Sequence, residues 1–263
     1  MKRGPKIKNS NKNLLRLILI VLPLFFWGRI VLAVNIDDVL LKFGNYKLSV
    51  DYKGKLLTVF VDSAIPFVHK YEICNLPSAS QREEKIIEGD KEVSFDDGKF
   101  LWRYLPKRNL VIQENSRLKR QKGIDPRSYL ASVKKNYTIE IVDKKTILHR
   151  NAYLVLFKPK SQDRPKQLIW IDCSCGIPLR LEKYDSSGKL AIVSSFSQIT
   201  IINKIDSPLN LKVPSNTNLT RINEKSNITL DQVQKIINRD IYVPEYLSSG
   251  FYLKNIVLRN NND

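Results

Sequence analysis

The sequence has few of the residues on which most enzyme active sites depend. Its 263 residues include only two histidines, three cysteines and one methionine. Neither His69 nor His149 stands in a Ser-His-Asp pattern, an HExxH motif or a zinc-deaminase motif, and the sequence has no phosphate-binding loop and no GxGxxG fingerprint. We therefore predict a protein that is not an enzyme and that holds no cofactor and no metal.

Paired carboxylates are present, but their positions do not indicate acid–base catalysis. Asp37-Asp38 lie on the exposed face of a predicted helix, and Asp96-Asp97 lie at a predicted turn. In both places a solvated surface charge is the simpler interpretation.

Acidic residues are in a clear minority, with 26 Asp and Glu against 44 Lys and Arg. The formal net charge of +18 falls to +11 when the seven basic groups before Val34 are excluded. The basic residues are scattered and mostly Lys, whereas a nucleic-acid site gathers them on one face, usually with stacking aromatics. We predict no nucleic-acid partner and a basic surface that favours anionic lipid or a negatively charged protein.

A long apolar run occurs near the N-terminus, where "LILIVLPLFFWG" covers residues 17–28 after a basic segment. This run is too short to cross a bilayer, and the small residues of "VLA" at 31–33 suit a signal peptidase. We predict a signal peptide over residues 1–33, with an uncleaved N-terminal anchor as the alternative. The mature chain would then work outside the cytoplasm, where disulfides are permitted.

Residues 46–208 follow mainly a period of two, which is typical of half-buried strands. Turn signals such as Asp97-Gly98 and Ser187-Gly188 separate the strands and predict antiparallel hairpins. Two amphipathic helices are predicted, one over 35–45 that ends at Gly44 and one over 126–135 with Asp125 as its N-cap. The pattern predicts an α+β fold in which helices cover a curved antiparallel sheet.

The composition changes after Pro208, and this change sets the predicted domain bounds. We predict one domain over 34–208, a polar linker over 209–226, and a short or truncated C-terminal unit over 227–263 that includes a capped helix. About forty residues form too small a core to be stable alone.

The cysteines leave three interpretations open. Cys74 could form a disulfide with Cys173 or Cys175, whereas a Cys173–Cys175 bridge would close a small, strained ring. A zinc site would need all three cysteines and one histidine, although only two of these are close in sequence. The third interpretation is a plain hairpin turn in which the thiols have no task.

Several segments carry a resemblance to a known family. They are "DDGKFLWRYLPKRNLVI" at 96–112, the strand-rich segment 136–172, and "GIPLRLEKYDSSGKL" at 176–190. Together they resemble the N-terminal domain of the periplasmic sigma-factor regulators MucB and RseB, which is similar in fold to the lipoprotein carriers LolA and LolB. The tail "VPEYLSSGFYL" at 243–253 resembles the start of the regulators' second domain.

The resemblance implies a LolA-like open half-barrel with an apolar concavity, located in the periplasm. It implies a non-enzymatic sensor that binds a lipid or an acylated protein and a membrane-anchored partner of the anti-sigma type. The alternative is a lipoprotein or lipid carrier of the LolA/LolB type.

Aromatic residues at alternating strand positions are the candidates for lining such a concavity. We expect the ligand between the sheet and the helix over 126–135, because that helix has one apolar stripe. The candidate lining residues are Trp102, Tyr104, Leu130, Tyr153 and Trp170.

Overall fold

The computed structural model describes residues 34–61, 65–122, 125–204, 208–242 and 256–262. Ile36–Asp263 forms one compact unit. The predicted signal peptide, residues 1–33, lies outside the described residues. Within the described ranges, no helix has the length and apolar character needed to cross a membrane.

Four helices and thirteen strands occur in the described residues. The helices are α1 Ile36–Ser49, α2 Arg117–Lys122, α3 Pro126–Asn136 and α4 Leu230–Ile237. The strands are β1 Tyr52–Phe60, β2 Phe67–Leu76, β3 Gln81–Glu88, β4 Val93–Asp96, β5 Phe100–Leu105, β6 Leu110–Asn115, β7 Tyr137–Ile147, β8 Arg150–Pro159, β9 Gln167–Asp172, β10 Pro178–Tyr184, β11 Leu190–Ile201, β12 Asn218–Ile228 and β13 Ile256–Asn262.

All the strands belong to one sheet in the order β13-β12-β6-β5-β4-β3-β2-β1-β11-β10-β9-β8-β7. Neighbouring strands are antiparallel except β12 and β6, which are parallel. In the part of the chain that the structure describes, β13 and β7 form the two edges, so the curved sheet is open. The predicted α+β fold with a curved antiparallel sheet is confirmed.

Local turn chemistry explains the hairpins. Gly98 and Gly188 have φ angles of 83° and 87°, and they lie in the turns that join β4 to β5 and β10 to β11. A Cβ atom disfavours such angles, so glycine, which has none, is the residue that these turns accept with least strain. Both hairpins predicted from the sequence are confirmed.

The helices agree with the predictions in one case and differ in the other. Asp125 caps α3 as expected, since its carboxylate accepts hydrogen bonds from the backbone N–H groups of Arg127 (3.2 Å) and Ser128 (3.0 Å). The prediction that α1 ends at Gly44 is wrong, because α1 continues to Ser49. Burial of the apolar side of α1, including Val39 and Leu40, outweighs the roughly 1 kcal/mol by which glycine disfavours a helix.

The predicted linker over 209–226 is corrected in part. Residues 218–228 form β12, whose first residues pair with β6 from Asn218↔Leu110 to Arg221↔Gln113. Without β12, β6 would present unpaired backbone groups at a sheet edge. The polar composition of this segment concealed a strand that joins the main sheet, whereas the bounds of the main domain and of the C-terminal unit stay predictions.

The assignment of Asp96 as a solvated charge is also wrong. Asp96 is only 3% exposed. Its carboxylate accepts hydrogen bonds from the Ser116 hydroxyl (2.7 Å) and from the backbone N–H groups of Arg117 (2.7 Å) and Leu118 (3.1 Å). Asp96 therefore satisfies the first donors of α2, which explains why a carboxylate is buried there.

Candidate functional site

The two faces of the sheet differ in what they carry. We call the face that lies against α1 and α3 the inner face and the opposite one the outer face. The strand register aligns Gly54 on β1 with Ile73 on β2 and with Glu84 on β3, and this row lies on the inner face. The neighbouring row, from Lys53 to Cys74 and then to Glu83, lies on the outer face because successive side chains alternate.

A cavity of about 480 Å³ lies between the helices and the inner face. Residues 43–48 of α1 and Pro126 and Tyr129 of α3 form its cover. Its apolar walls on the sheet include Leu56, Ile73, Leu181 and Phe196. Cavities between helices and a sheet with such walls are typical small-molecule sites.

One end of the cavity is polar. The guanidinium of Arg82 donates from Nε to Glu84 (3.1 Å) and from Nη1 to the Asn75 side-chain oxygen (2.9 Å) and the Tyr52 hydroxyl (3.4 Å). Burial alone would raise the pKa of Glu84, but the charge and hydrogen bonds of Arg82, together with the charges of Lys47 and Arg117, hold this pKa below its ordinary value. The pair is therefore ionised and rigidly oriented at the cavity wall.

Lys47 lies beside this pair. Burial and, after it, the charge of Arg82 lower the pKa of Lys47. In the described part of the chain, the Lys47 ammonium has no ion pair and lies 5.9 Å from the centre of the Tyr46 ring. An ammonium placed in this way retains its capacity to donate to an anion.

The Cys-Ser-Cys segment forms the turn between β9 and β10. The buried carboxylate of Asp172 accepts from the backbone N–H groups of Ser174 (2.8 Å) and Cys175 (2.9 Å), and from Nε of Arg150 (2.5 Å). Lys42 of α1 donates to the carbonyl of Cys173 (3.2 Å). The turn thus supports α1 above the sheet.

The three thiols are free in this structure, so the predicted bridge from Cys74 to Cys173 or Cys175 is not formed. Cys175 packs against the inner core that includes Tyr52, whereas Cys74 lies on the outer face. The side chains of Cys74 and Cys175 therefore point to opposite faces of the sheet, and a disulfide cannot join side chains that point apart without backbone movement. Burial raises the pKa of each of the three thiols, which disfavours reactivity.

The structure disperses the five residues predicted to line the ligand site. Trp102 pairs with Phe95 and Tyr104 pairs with Val93, and this register places both aromatics on the outer face. Trp170 alternates with the buried Ile169 and Ile171 and lies under the ammonium of Lys145, 5.6 Å from the ring centre. None of the three is among the residues lining the cavity.

The other two lie on the inner side but away from the cavity walls. Leu130 and Tyr153 both pack against the core that contains Val155 and Phe157. Ligand contact by these five residues stays a prediction. Among the cavity residues that the sequence did not indicate are Arg82 and Glu84. Their i, i+2 spacing within "QREEKII" was the available signal, since it puts both on one face of a strand.

Comparison with known proteins identifies the fold. Crystal structures of MucB alone and in complex with MucA(peri) match with TM-scores of 0.51 and 0.50 at 13% and 15% identity, over 73% and 74% of this chain. The MucA/MucB complex of Pseudomonas aeruginosa matches with a TM-score of 0.49 at 16% identity, over 63% of this chain. This chain spans 66%, 65% and 56% of the respective matched chains. At these identities the likeness shows a MucB-like fold, as the sequence resemblance implied.

Family membership rests on a separate match. No curated protein matches the sequence closely enough to count as a relative. A protein-family model described as "Uncharacterized protein" matches residues 78–249, which is more than half of the chain. The chain therefore belongs to this family and has a fold like that of MucB.

Proposed function

We propose that this protein is a non-enzymatic periplasmic sensor that binds an apolar ligand in the inner cavity and a membrane-anchored partner of the anti-sigma type. The single observation that carries the proposal is the cavity of about 480 Å³ under α1 and α3, whose walls are mostly apolar. The MucB-like fold supports the partner, since a MucB structure contains MucA(peri).

The two helices that cover the cavity couple ligand binding to partner binding. An ion pair between Lys134 of α3 and Asp37 of α1 joins the two helices that cover the cavity. A ligand in the cavity lies against both helices, so ligand binding shifts the equilibrium between their possible positions. A partner that contacts this cover would bind the filled and empty forms with different affinities.

Replacing Leu56 with Gln is expected to weaken binding of a fluorescent fatty acid about tenfold. Leu56 lines the cavity on β1, and losing its contact with two methylenes removes about 1.6 kcal/mol. Affinity is measured by fluorescence titration. The matched control is Leu57→Gln, because Leu57 is equally half-buried but points to the outer face. Equal weakening by both variants would contradict binding in the cavity.

The partner is tested by capture from detergent-solubilised envelope on the immobilised protein, followed by mass spectrometry. The proposal expects one membrane-anchored protein with an extracytoplasmic segment, whose recovery changes when fatty acid is added. Recovery of many acylated proteins would instead support a carrier.

A carrier is the second candidate, and an exposed apolar hairpin tip favours it. Ile65 is 80% exposed at the tip between β1 and β2, and Val61, Phe67 and Val68 beside it are exposed as well. The exposed Lys189 lies in the neighbouring β10–β11 hairpin, since β1 pairs with β11 at this end of the sheet. Apolar residues flanked by Lys suit contact with an anionic membrane.

The double change Phe67→Ser and Val68→Ser is expected to reduce sedimentation with anionic vesicles several-fold if the hairpin tip contacts membranes. Two exposed apolar side chains would no longer enter the lipid interface. Val142→Ser, which changes an exposed valine on β7, is the control. Unchanged sedimentation of the double variant would argue against a carrier that uses this tip.

A further inference from the structure

The cavity is polarised along the sheet. The strands that line it follow the order β3, β2, β1, β11 and β10. Arg82 and Glu84 mark the β3 end, Leu56 and Phe196 lie in the middle, and Leu181 marks the β10 end. Neighbouring strands are about 4.8 Å apart, so the polar and apolar ends are about 19 Å apart. A ligand that matches this arrangement is elongated and amphipathic.

The charge at the polar end is positive. Lys47, Arg82 and Arg117 all act electrostatically on Glu84, and each of them lowers its pKa. At the cavity wall itself, two cations, Lys47 and Arg82, lie beside one carboxylate, that of Glu84. Glu84 accepts two hydrogen bonds from the Arg82 guanidinium, both at Oε1, so the charges of Arg82 and Glu84 offset each other. The positive charge of Lys47 is left for a ligand to neutralise.

Lys47 is the group best placed to contact a ligand anion. Its position on α1 puts it in the wall of the cavity, next to Arg82. Arg82 is committed to Glu84, Asn75 and Tyr52, whereas within the described residues the structure records no hydrogen bond from the Lys47 ammonium. A partly buried ammonium next to another cation gains from an added anion through charge neutralisation and hydrogen bonds.

We infer that the cavity takes a single-chain amphiphile with an anionic headgroup, held at Lys47 beside Arg82, with its apolar chain running across β1 and β11 toward β10. This inference rests on the proposed function, because it assigns the chemistry of the ligand for the same cavity. Carboxylate and phosphate headgroups share the required chemistry, and the neutral headgroup of a fatty alcohol lacks it.

The test measures the affinities of the purified protein for laurate, lauryl phosphate, lauryl alcohol and inorganic phosphate by calorimetry. We expect laurate and lauryl phosphate to bind at least about tenfold more tightly than lauryl alcohol. Replacing Lys47 with Met should remove that preference, and Lys47→Arg should retain it. Lys53→Met, which removes an exposed ammonium from the outer face of β1, is the control and should leave all four affinities unchanged.

The possible results separate this inference from the proposed function. Equal affinities for laurate and lauryl alcohol would overturn the inference and leave an apolar cavity that binds a chain. Inorganic phosphate binding as tightly as lauryl phosphate would also overturn it, since the apolar chain would then play no part. Binding of no amphiphile at all would overturn both the inference and the proposed function.

Discussion

Replacing Gly176 with Ala is expected to lower the free energy of unfolding by about 3 kcal/mol or more. Gly176 follows the Cys-Ser-Cys turn with a φ of 77°, where a side chain adds backbone strain. A Cβ atom there would lie 2.4 Å from the backbone carbon and 2.5 Å from the carbonyl oxygen of Lys42 in α1. Helix backbone cannot move aside as a flexible side chain can, so α1 must shift from the sheet.

The measurement is urea-induced unfolding together with fatty-acid titration. Because residues 43–48 of α1 cover the cavity, the shift of the helix should also weaken ligand binding. The matched control is Gly188→Ala. Gly188 has a similar φ of 87°, but a Cβ atom at this position meets nothing within 4 Å, so only the strain of about 1 kcal/mol remains. If Gly176→Ala and Gly188→Ala lower the free energy of unfolding equally, the close approach of α1 to this turn is contradicted.

Replacing Asp172 with Asn is expected to destabilise the protein by about 3 kcal/mol at neutral pH. Asp172 is 2% exposed, and its carboxylate pairs with Arg150 in addition to holding the turn. Asn has nearly the same size but no charge, so the partly buried guanidinium loses its counterion and the turn loses charge-assisted hydrogen bonds. Asp185→Asn is the control, because Asp185 holds the Ser187-Gly188 turn in a similar way on the surface.

The same residue predicts a pH dependence. Burial alone would raise the pKa of Asp172, but hydrogen bonds from Arg150 and Ser174 outweigh burial and lower it from 3.8 to about 2. A carboxyl whose pKa is lower in the folded state stabilises the protein above the unfolded pKa and loses this effect as pH falls. Protonation of this group should therefore lower the free energy of unfolding of the native protein by about 2 kcal/mol between about pH 4 and pH 2.

Urea unfolding at several pH values checks this expectation. The Asp172→Asn variant lacks this titrating group, so it should not lose this part of its stability in acid. The difference in the free energy of unfolding between the native protein and the variant should therefore become smaller as the pH falls. The Asp185→Asn change should lower the free energy of unfolding at neutral pH by less than about 1 kcal/mol, since surface charges contribute little to stability. If the free energies of unfolding of Asp172→Asn and of the native protein differ by a constant amount down to pH 2, the role assigned to the Asp172 charge is contradicted.

The sequence alone determined the strands before Pro208, their hairpins and the cap of α3. These features depend on neighbours in the chain: the alternation of apolar residues, the φ that glycine permits at Gly98 and Gly188, and the hydrogen bonds of Asp125 to its own helix. The same local signals, in the order of the elements, carried the resemblance that led to the MucB-like fold.

Only the tertiary structure decided which side of each strand faces the helices. Alternation groups Trp102 with Tyr104, and Arg82 with Glu84, but it does not say which group faces the helices. Strand register across β2 to β5 settles this, and it places the charged pair at the cavity and the aromatics on the outer face. The choice depends on pairing between distant segments, which a local pattern does not contain.

The tertiary structure likewise decided the roles of the polar segments. The Cys-Ser-Cys turn approaches α1 at Gly176 and at the carbonyl of Cys173, and the polar stretch 218–228 pairs with β6 as a neighbouring strand. Backbone atoms of these segments make the contacts with α1 and β6, and every residue type carries the same backbone carbonyl. Composition therefore marks these segments as loop and linker, while packing against distant elements makes them structural.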